Sequence, residues 1–158
     1  MSQSTNTTDT LPFFYRFYFL WSDPAICLWG AYMDFFTPSF VINAFIPLSL
    51  APWNDQHIFV LQQLGGSLLM LCFLDVFLLR YSKDIVVWKI LQAATMIYDV
   101  VLLCSVYGAL RMQGRLTLPG IRWEDWGGIA ITGLAVLVRG AFLLDVGLNK
   151  HGKSEKGA

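Results

Sequence analysis

Residues 127–147 read GGIAITGLAVLVRGAFLLDVG, and this stretch decides the fold class. It is almost entirely apolar over 21 residues, close to the roughly 20 that a helix needs to cross a ~30 Å hydrocarbon core. The stretch therefore predicts a transmembrane helix. Arg139 and Asp145 are the two charges inside it, and charges are costly within a bilayer. They are the first candidates for functional residues.

Three further segments are long and apolar enough to span a membrane. The composition agrees, because 56% of the residues are hydrophobic and only 14% are charged, whereas a soluble domain is about 25% charged. Each predicted span contains at least one charge. The four predicted spans cover residues 13–33, 57–79, 85–108 and 126–148.

Residues 34–56, between the first two spans, hold Pro38, Pro47 and Pro52 among apolar side chains. Prolines at this spacing interrupt a long helix, so the segment is predicted to be interfacial or re-entrant. The predicted fold is all-α, a four-helix transmembrane bundle in which this Pro-rich segment joins helices 1 and 2. Residues 12–149 form the predicted domain, between a disordered tail at 1–11 and a basic tail at 150–158.

The charge distribution predicts the orientation and excludes one class of partner. The chain has no net charge and no basic patch beyond Lys150, Lys153 and Lys156, so no nucleic-acid partner is expected. Four spans place both termini on one side, which carries more lysine and arginine. The positive-inside rule then predicts cytoplasmic termini. The lipid bilayer is the expected surrounding, and a homodimer is left open.

Five ionisable residues lie inside the predicted spans. From a rise of about 1.5 Å per residue, Asp23, Asp99 and Arg139 fall within about 3 Å of the midplane. Asp75 and Asp145 fall about 10 to 12 Å nearer the cytoplasmic face. On the third span, one helical face carries a stripe of side chains at i, i+4, i+7 and i+11. Its members are Trp88, Gln92, Thr95 and Asp99. The five charges are predicted to share one polar cavity.

A structural interpretation of the same residues stays open. Arg139 would then simply neutralise Asp23 or Asp99 to hold the bundle together, and Asp23 before Pro24 would cap a helix at a kink. The two acids nearer the cytoplasmic face are close enough to helix ends to reach the interface or a basic side chain such as Arg80.

The functional interpretation is acid catalysis. Desolvation drives a buried, unpaired carboxyl toward its neutral form, and a neutral carboxylic acid is a general acid. Aromatic ring faces would stabilise a cationic intermediate. The predicted catalytic residues are Asp145, Asp75, Asp99, Asp23 and Arg139, and the predicted substrate-binding residues are Trp29, Tyr32, Gln92, Tyr98 and Trp126.

The sequence carries no motif for other common chemistry. It has no Ser/His/Asp arrangement, no Gly-rich phosphate loop and no D-D-x-x-D magnesium site, so no cofactor and no metal are expected. Cys27, Cys72 and Cys104 are predicted to fill the core. Gly65 and Gly66 are predicted to permit close helix packing.

Motifs spread over residues 12–148 resemble a widespread fungal family of small four-helix membrane proteins that is known as a domain of unknown function. The resemblance rests on P-F-F-Y-R-F-Y-F-L-W at 12–21, D-P at 23, G-A-Y at 30, W-x-x-x-x-x-A at 88, D at 99, D-W-G at 125 and R-G-A-F-L-L-D-V-G-L at 139–148. The family pattern tends to have Glu at Asp23, His at Leu102, Asn at Gly128 and Gly at Asp145. These departures indicate a specialised activity.

A looser resemblance in layout and buried acids is to the emopamil-binding and sigma-2-type sterol proteins and to the membrane-bound cyclases of fungal meroterpenoid pathways. It implies a cofactor-free cyclase or isomerase of the endoplasmic reticulum membrane that protonates a lipophilic terpenoid or sterol-like substrate. Asp145 or Asp75 is the expected proton donor. The alternative is a non-catalytic sterol- or lipid-binding or scaffold protein of the same membrane.

Overall fold

The computed structural model describes residues 11–50, 52 and 54–148, and it confirms the all-α prediction for these residues. Five helices of eight or more residues follow in order: α1 Phe13–Phe36, α2 Pro38–Phe45, α3 Asp55–Tyr81, α4 Ile85–Met112 and α5 Trp123–Leu143. A short 3₁₀-helix, Leu118–Gly120, lies between α4 and α5. Helices α3, α4 and α5 are each long and apolar enough to cross a membrane. Helices α1 and α2 pass the same test as a pair bent by 108°.

The predicted tails fall mostly outside the part of the chain that the structure describes, which begins at Leu11 and ends at Leu148. Leu11 was assigned to the disordered tail, yet its side chain is buried. Leu11 belongs to an aromatic-rich core at the end of the bundle that holds both Leu11 and Leu148, the first and last described residues. The members of this core are Leu11, Tyr15, Tyr18, Phe19, Leu79, Trp88, Leu91, Val138 and Phe142.

Hydrogen bonds close this end of the bundle. The Tyr15 hydroxyl donates to the Val146 carbonyl over 2.9 Å, and the Trp88 indole N–H donates to the Ser82 carbonyl over 3.0 Å. Each aromatic side chain therefore buries its ring and satisfies its polar atom, as buried Tyr and Trp usually do.

Two π-helical turns interrupt the long helices, Tyr18–Ser22 in α1 and Leu74–Leu78 in α3, and they pack against each other. Pro24 follows the first and lacks the N–H that the Leu20 carbonyl, four residues earlier, would accept in an α-helix. The Arg80 guanidinium donates to that carbonyl over 3.1 Å and lies over the Trp21 ring. Single π-helical turns are frequent at functional sites, and here the buried Asp23 directly follows the first turn and the buried Asp75 lies within the second.

The Pro-rich segment between α1 and α3 begins as an ordered helix held by the opposite end of the bundle. Pro38 is the first residue of α2, where its missing N–H costs nothing. The carbonyls at the end of α2 have no partner inside the helix. Arg122 donates to those of Asn43 (2.7 Å) and Ala44 (3.1 Å), and Gln113 donates to that of Phe45 (3.1 Å).

Close packing between α1 and α3 depends on one of two adjacent glycines. A Cβ atom at Gly65 would lie 2.9 Å from the Phe35 ring and 3.1 Å from the Asp34 Cβ. A Cβ atom at Gly66 would meet nothing within 4 Å. The predicted packing role is thus confirmed for Gly65, whereas Gly66 faces open space.

We expect Gly65→Ala to destabilise the protein by about 1 to 3 kcal/mol, because the added methyl group forces Phe35 and Asp34 to move in a packed interface. Gly66→Ala is the matched control and should be neutral or stabilising by about 0.5 to 1 kcal/mol, since alanine favours the helix. Urea unfolding followed by circular dichroism in mild detergent measures both. Equal effects would show that α1 and α3 do not pack at Gly65.

Candidate functional site

A buried ionic cluster lies in the middle of the bundle and joins three helices. Arg139 from α5 donates to Asp23 from α1 over 2.5 Å and to Asp99 from α4. Its Nε donates to the Gln92 side chain over 3.1 Å. Arg139 is only 1% exposed. The structure thus brings together Asp23, Asp99 and Arg139, the three residues that the sequence predicts near the midplane.

The spacing of α4 explains why its polar side chains face inward. Trp88, Gln92, Thr95 and Asp99 lie on one helical face, and all four are buried. The Thr95 hydroxyl donates to the Leu91 carbonyl of its own helix. The stripe therefore presents Gln92 and Asp99 to Arg139.

Asp75 extends the cluster from α3 and is 1% exposed. It lies in the second π-helical turn beside Asp23 and Cys27, whose ligand atoms are within 4.8 Å of one another and of its own. Among the described residues, no contact to either Asp75 oxygen or to the Gln92 amide nitrogen has full hydrogen-bond geometry, although the Gln92 and Asp23 side chains are the nearest polar neighbours of Asp75. Unsatisfied buried polar atoms call for an explanation, because each costs free energy.

Asp145 lies outside this cluster, so the prediction that all five charges share one cavity is wrong. Helix α5 ends at Leu143, before the predicted span end at 148, and Asp145 has a φ of 58° in the following turn. Its carboxylate pairs with Lys89 over 2.5 Å, and its side chain is 41% exposed. Left-handed residues end helices, and this one places the carboxylate at the bundle surface.

The five predicted substrate-binding residues do not form one site, although the rings of Trp29 and Tyr32 stack with their centroids 5.7 Å apart. Trp29, Tyr32 and Trp126 are 64%, 48% and 48% exposed on the outside of the bundle. Gln92 is fully buried in the ionic cluster. Tyr98 alone of the five lines a described cavity.

That cavity is an apolar groove of about 460 Å³. It opens to the outer surface of the bundle, where Val60 and Val101 are more than half exposed. Apart from the Tyr98 and Ser105 hydroxyls, its side chains are apolar. The lining residues are Phe45, Ile46, Val60, Leu64, Tyr98, Val101, Leu102, Ser105, Val106 and Ala109.

A further buried acid, Asp34, lies near Tyr98 of the groove and is not among the site residues predicted from the sequence. It is 3% exposed, and its Oδ2 atom has no hydrogen-bond partner among the described residues. The buried Tyr98 hydroxyl also lacks one, and Asp34 is close enough to interact with it electrostatically. The predicted first span ended at residue 33. Asp34 is eleven residues after Asp23, however, which puts the two acids on one face of α1.

Comparison with known proteins identifies the family. The family model of a domain of unknown function, DUF7704, matches residues 8–149. The chain belongs to this family. Comparison with curated proteins and with solved structures gives no match. For this DUF7704 protein, the chemistry of the site is therefore argued from its own residues.

Removing the cation from the ionic cluster should destabilise this DUF7704 protein strongly. We expect Arg139→Met to cost about 3 to 5 kcal/mol, because it leaves buried carboxylates unpaired. Lys89→Met, which breaks the exposed pair with Asp145, should cost less than about 1 kcal/mol. Thermal unfolding in detergent compares the two variants.

Adding Asp23→Asn and Asp99→Asn to Arg139→Met removes the repelling charges and should recover part of the lost stability. If Arg139→Met were as stable as Lys89→Met, the cluster would not be the electrostatic centre of the bundle.

Proposed function

We propose that this protein is a membrane-embedded cyclase or isomerase that protonates a lipophilic terpenoid or sterol-like substrate without a redox cofactor. One observation carries the proposal. An apolar groove that opens sideways from the bundle is lined by Tyr98, whose buried hydroxyl has no hydrogen-bond partner among the described residues, and the buried Asp34, whose Oδ2 atom also lacks one, is close enough to interact with Tyr98 electrostatically.

The groove matches the size and character of a lipophilic substrate. Ligand pockets in proteins range over about 300 to 1,000 Å³ and are mostly apolar with a few placed polar groups, and the groove holds about 460 Å³. Its exposed walls are on transmembrane helices, so a substrate dissolved in the bilayer would enter from the side.

In the proposed reaction, the Tyr98 hydroxyl gives its proton to a double bond or an epoxide oxygen of the substrate. Asp34, carrying the proton in the resting state, replaces it directly or through a bridging water molecule. The resulting carbocation rearranges or closes a ring between the apolar walls, and the rings of Phe45 and Tyr98 stabilise its charge. A different carbon then loses a proton to Tyr98 and Asp34, so the product is an isomer of the substrate.

The ionic cluster positions this pair rather than contacting the substrate. Asp99 follows Tyr98 on α4, and its bond to Arg139 fixes the rotation of that helix. Asp23 fixes α1, which also carries Asp34. Asp75 is the second candidate for the acid, but it lies beside Asp23 and Cys27 in the ionic cluster, whereas Asp34 is the acid that interacts with Tyr98 of the groove. The proposed location is the endoplasmic reticulum membrane with both termini cytoplasmic.

The test is mass spectrometry of lipophilic metabolites from a host that expresses the chain and is fed farnesylated and epoxyfarnesylated aromatic acids. We expect a product of unchanged mass and new retention. Tyr98→Phe and Asp34→Asn should each reduce its formation by roughly 10²-fold or more, the usual contribution of a general acid. Asp145→Asn is the matched acid control and should retain activity, since its carboxylate lies at the surface.

Three outcomes discriminate between the assignments. Loss in Asp75→Asn with full activity in Tyr98→Phe would move the acid to the ionic cluster. Equal activity in Asp34→Asn, Tyr98→Phe and Asp75→Asn would contradict acid catalysis by any of them. The absence of any isomer of the farnesylated and epoxyfarnesylated acids, and of sterols fed in the same way, would contradict the enzymatic proposal.

The same groove favours a second candidate, a non-catalytic sterol- or lipid-binding or scaffold protein. In that case Tyr98→Phe would weaken binding of a photoactivatable sterol or fatty acid without any turnover to lose. The Tyr98 hydroxyl would then donate to the polar head of the ligand.

A further inference from the structure

We propose that Asp23, Cys27 and Asp75 form a binding site for a thiophilic divalent cation, with Zn²⁺ as the expected ion. The site lies where α1 and α3 meet at their π-helical turns, and it is separate from the groove to which catalysis is assigned. The inference goes beyond the proposed function, because proton transfer by Tyr98 and Asp34 needs no metal.

The backbone brings Asp23, Cys27 and Asp75 close together. Asp23 and Cys27 are four residues apart and share a face of α1, and the second π-helical turn directs Asp75 toward them from α3. Their ligand atoms all lie within 4.8 Å of one another, and all three residues are buried. Zinc bonds of about 2.0 to 2.3 Å imply ligand separations of roughly 3.3 to 3.8 Å, which small side-chain rotations would reach.

The buried Asp75 carboxyl supplies a second observation. Among the described residues neither of its oxygens has a hydrogen bond of full geometry, and its nearest polar neighbours are the Gln92 amide and the carboxyl of Asp23, itself one of the three ligands. Arg139 bonds the Oδ2 atom of Asp23, which leaves Oδ1 for another partner. A cation would satisfy these oxygens without a further donor.

The charge balance of the cluster also favours a cation. If Asp23, Asp75 and Asp99 are ionised, Arg139 alone leaves an excess of two negative charges in the bundle interior. Such an excess is costly at low dielectric. Binding a divalent ion with loss of the Cys27 thiol proton reduces it to one.

The ligand set selects the kind of ion. A thiolate with carboxylates suits Zn²⁺, and thiolate ligation disfavours Mg²⁺ and Ca²⁺, which prefer oxygen. The bound ion would tie α1 to α3 beside Arg139. Two protein carboxylates and one sulfur leave a fourth position for water.

The test measures zinc in the full-length chain, purified in detergent without chelators and without a histidine tag from cells grown with added Zn²⁺. We expect about one zinc per chain by mass spectrometry of the metal, and zinc X-ray absorption with one sulfur at ~2.3 Å and oxygens at ~2.0 Å. Ca²⁺ and Mg²⁺ should not displace it.

The two cysteines of α1 and α3 supply a matched control. Cys27→Ser and Asp75→Asn should each lower the zinc content at least tenfold, whereas Cys72→Ser should leave it unchanged. Cys72 lies outside the ligand group. Less than about a tenth of a zinc per wild-type chain, or an absorption spectrum without sulfur, would overturn the site. The zinc content and the isomer product are separate measurements, so either proposal can fail alone.

Discussion

A guanidinium in the middle of a membrane protein must be neutralised, and the rest of this structure depends on how that is done. Arg139 is held by Asp23 and Asp99, so α1, α4 and α5 meet at one depth and with one rotation. The arrangement is specific because the interactions are directional and the alternative is an unpaired charge in a medium of low dielectric. An apolar interface would allow helices to slide or rotate, since lipid tails are as apolar as the side chains.

The helix backbone is adapted to this constraint. Asp23 follows a π-helical turn and precedes a proline, and Asp75 lies within a second π-helical turn. Each turn inserts a residue into its helix, and the two carboxylates beside or within these turns, Asp23 of α1 and Asp75 of α3, are buried in the bundle. At the other end, Arg122 and Gln113 satisfy the last carbonyls of α2. This fixes the short helix at a steep angle, and its end forms part of the groove wall.

Much of this architecture could be predicted from hydropathy and depth. The length of the apolar segments predicts the spans. The equal depth of Asp23, Asp99 and Arg139 predicts that they meet, because an unpaired charge at the midplane is costly. The ends of the helices were predicted less accurately than the helices themselves. Because the first predicted span ends at residue 33, Asp34 falls in the predicted interfacial or re-entrant segment, whereas it lies in α1. Asp145 falls in the fourth predicted span, but its own left-handed backbone after the end of α5 places it at the surface. Hydropathy does not register π-helical turns or single left-handed residues, and each of these changes which side a carboxylate faces.

The two groups of buried acids have different physical requirements. Asp23 and Asp99 are paired with Arg139. Acids paired in this way stabilise a fold but are poor proton donors, because an arginine favours their deprotonated form. Asp34 and Tyr98 have no cation against them in the described residues, and Tyr98 lines an apolar groove. Under the proposed function, charge neutralisation and proton donation would be separated within one small bundle. The ionic centre would then position the proton donors, because α1 and α4 each contribute a residue to both groups.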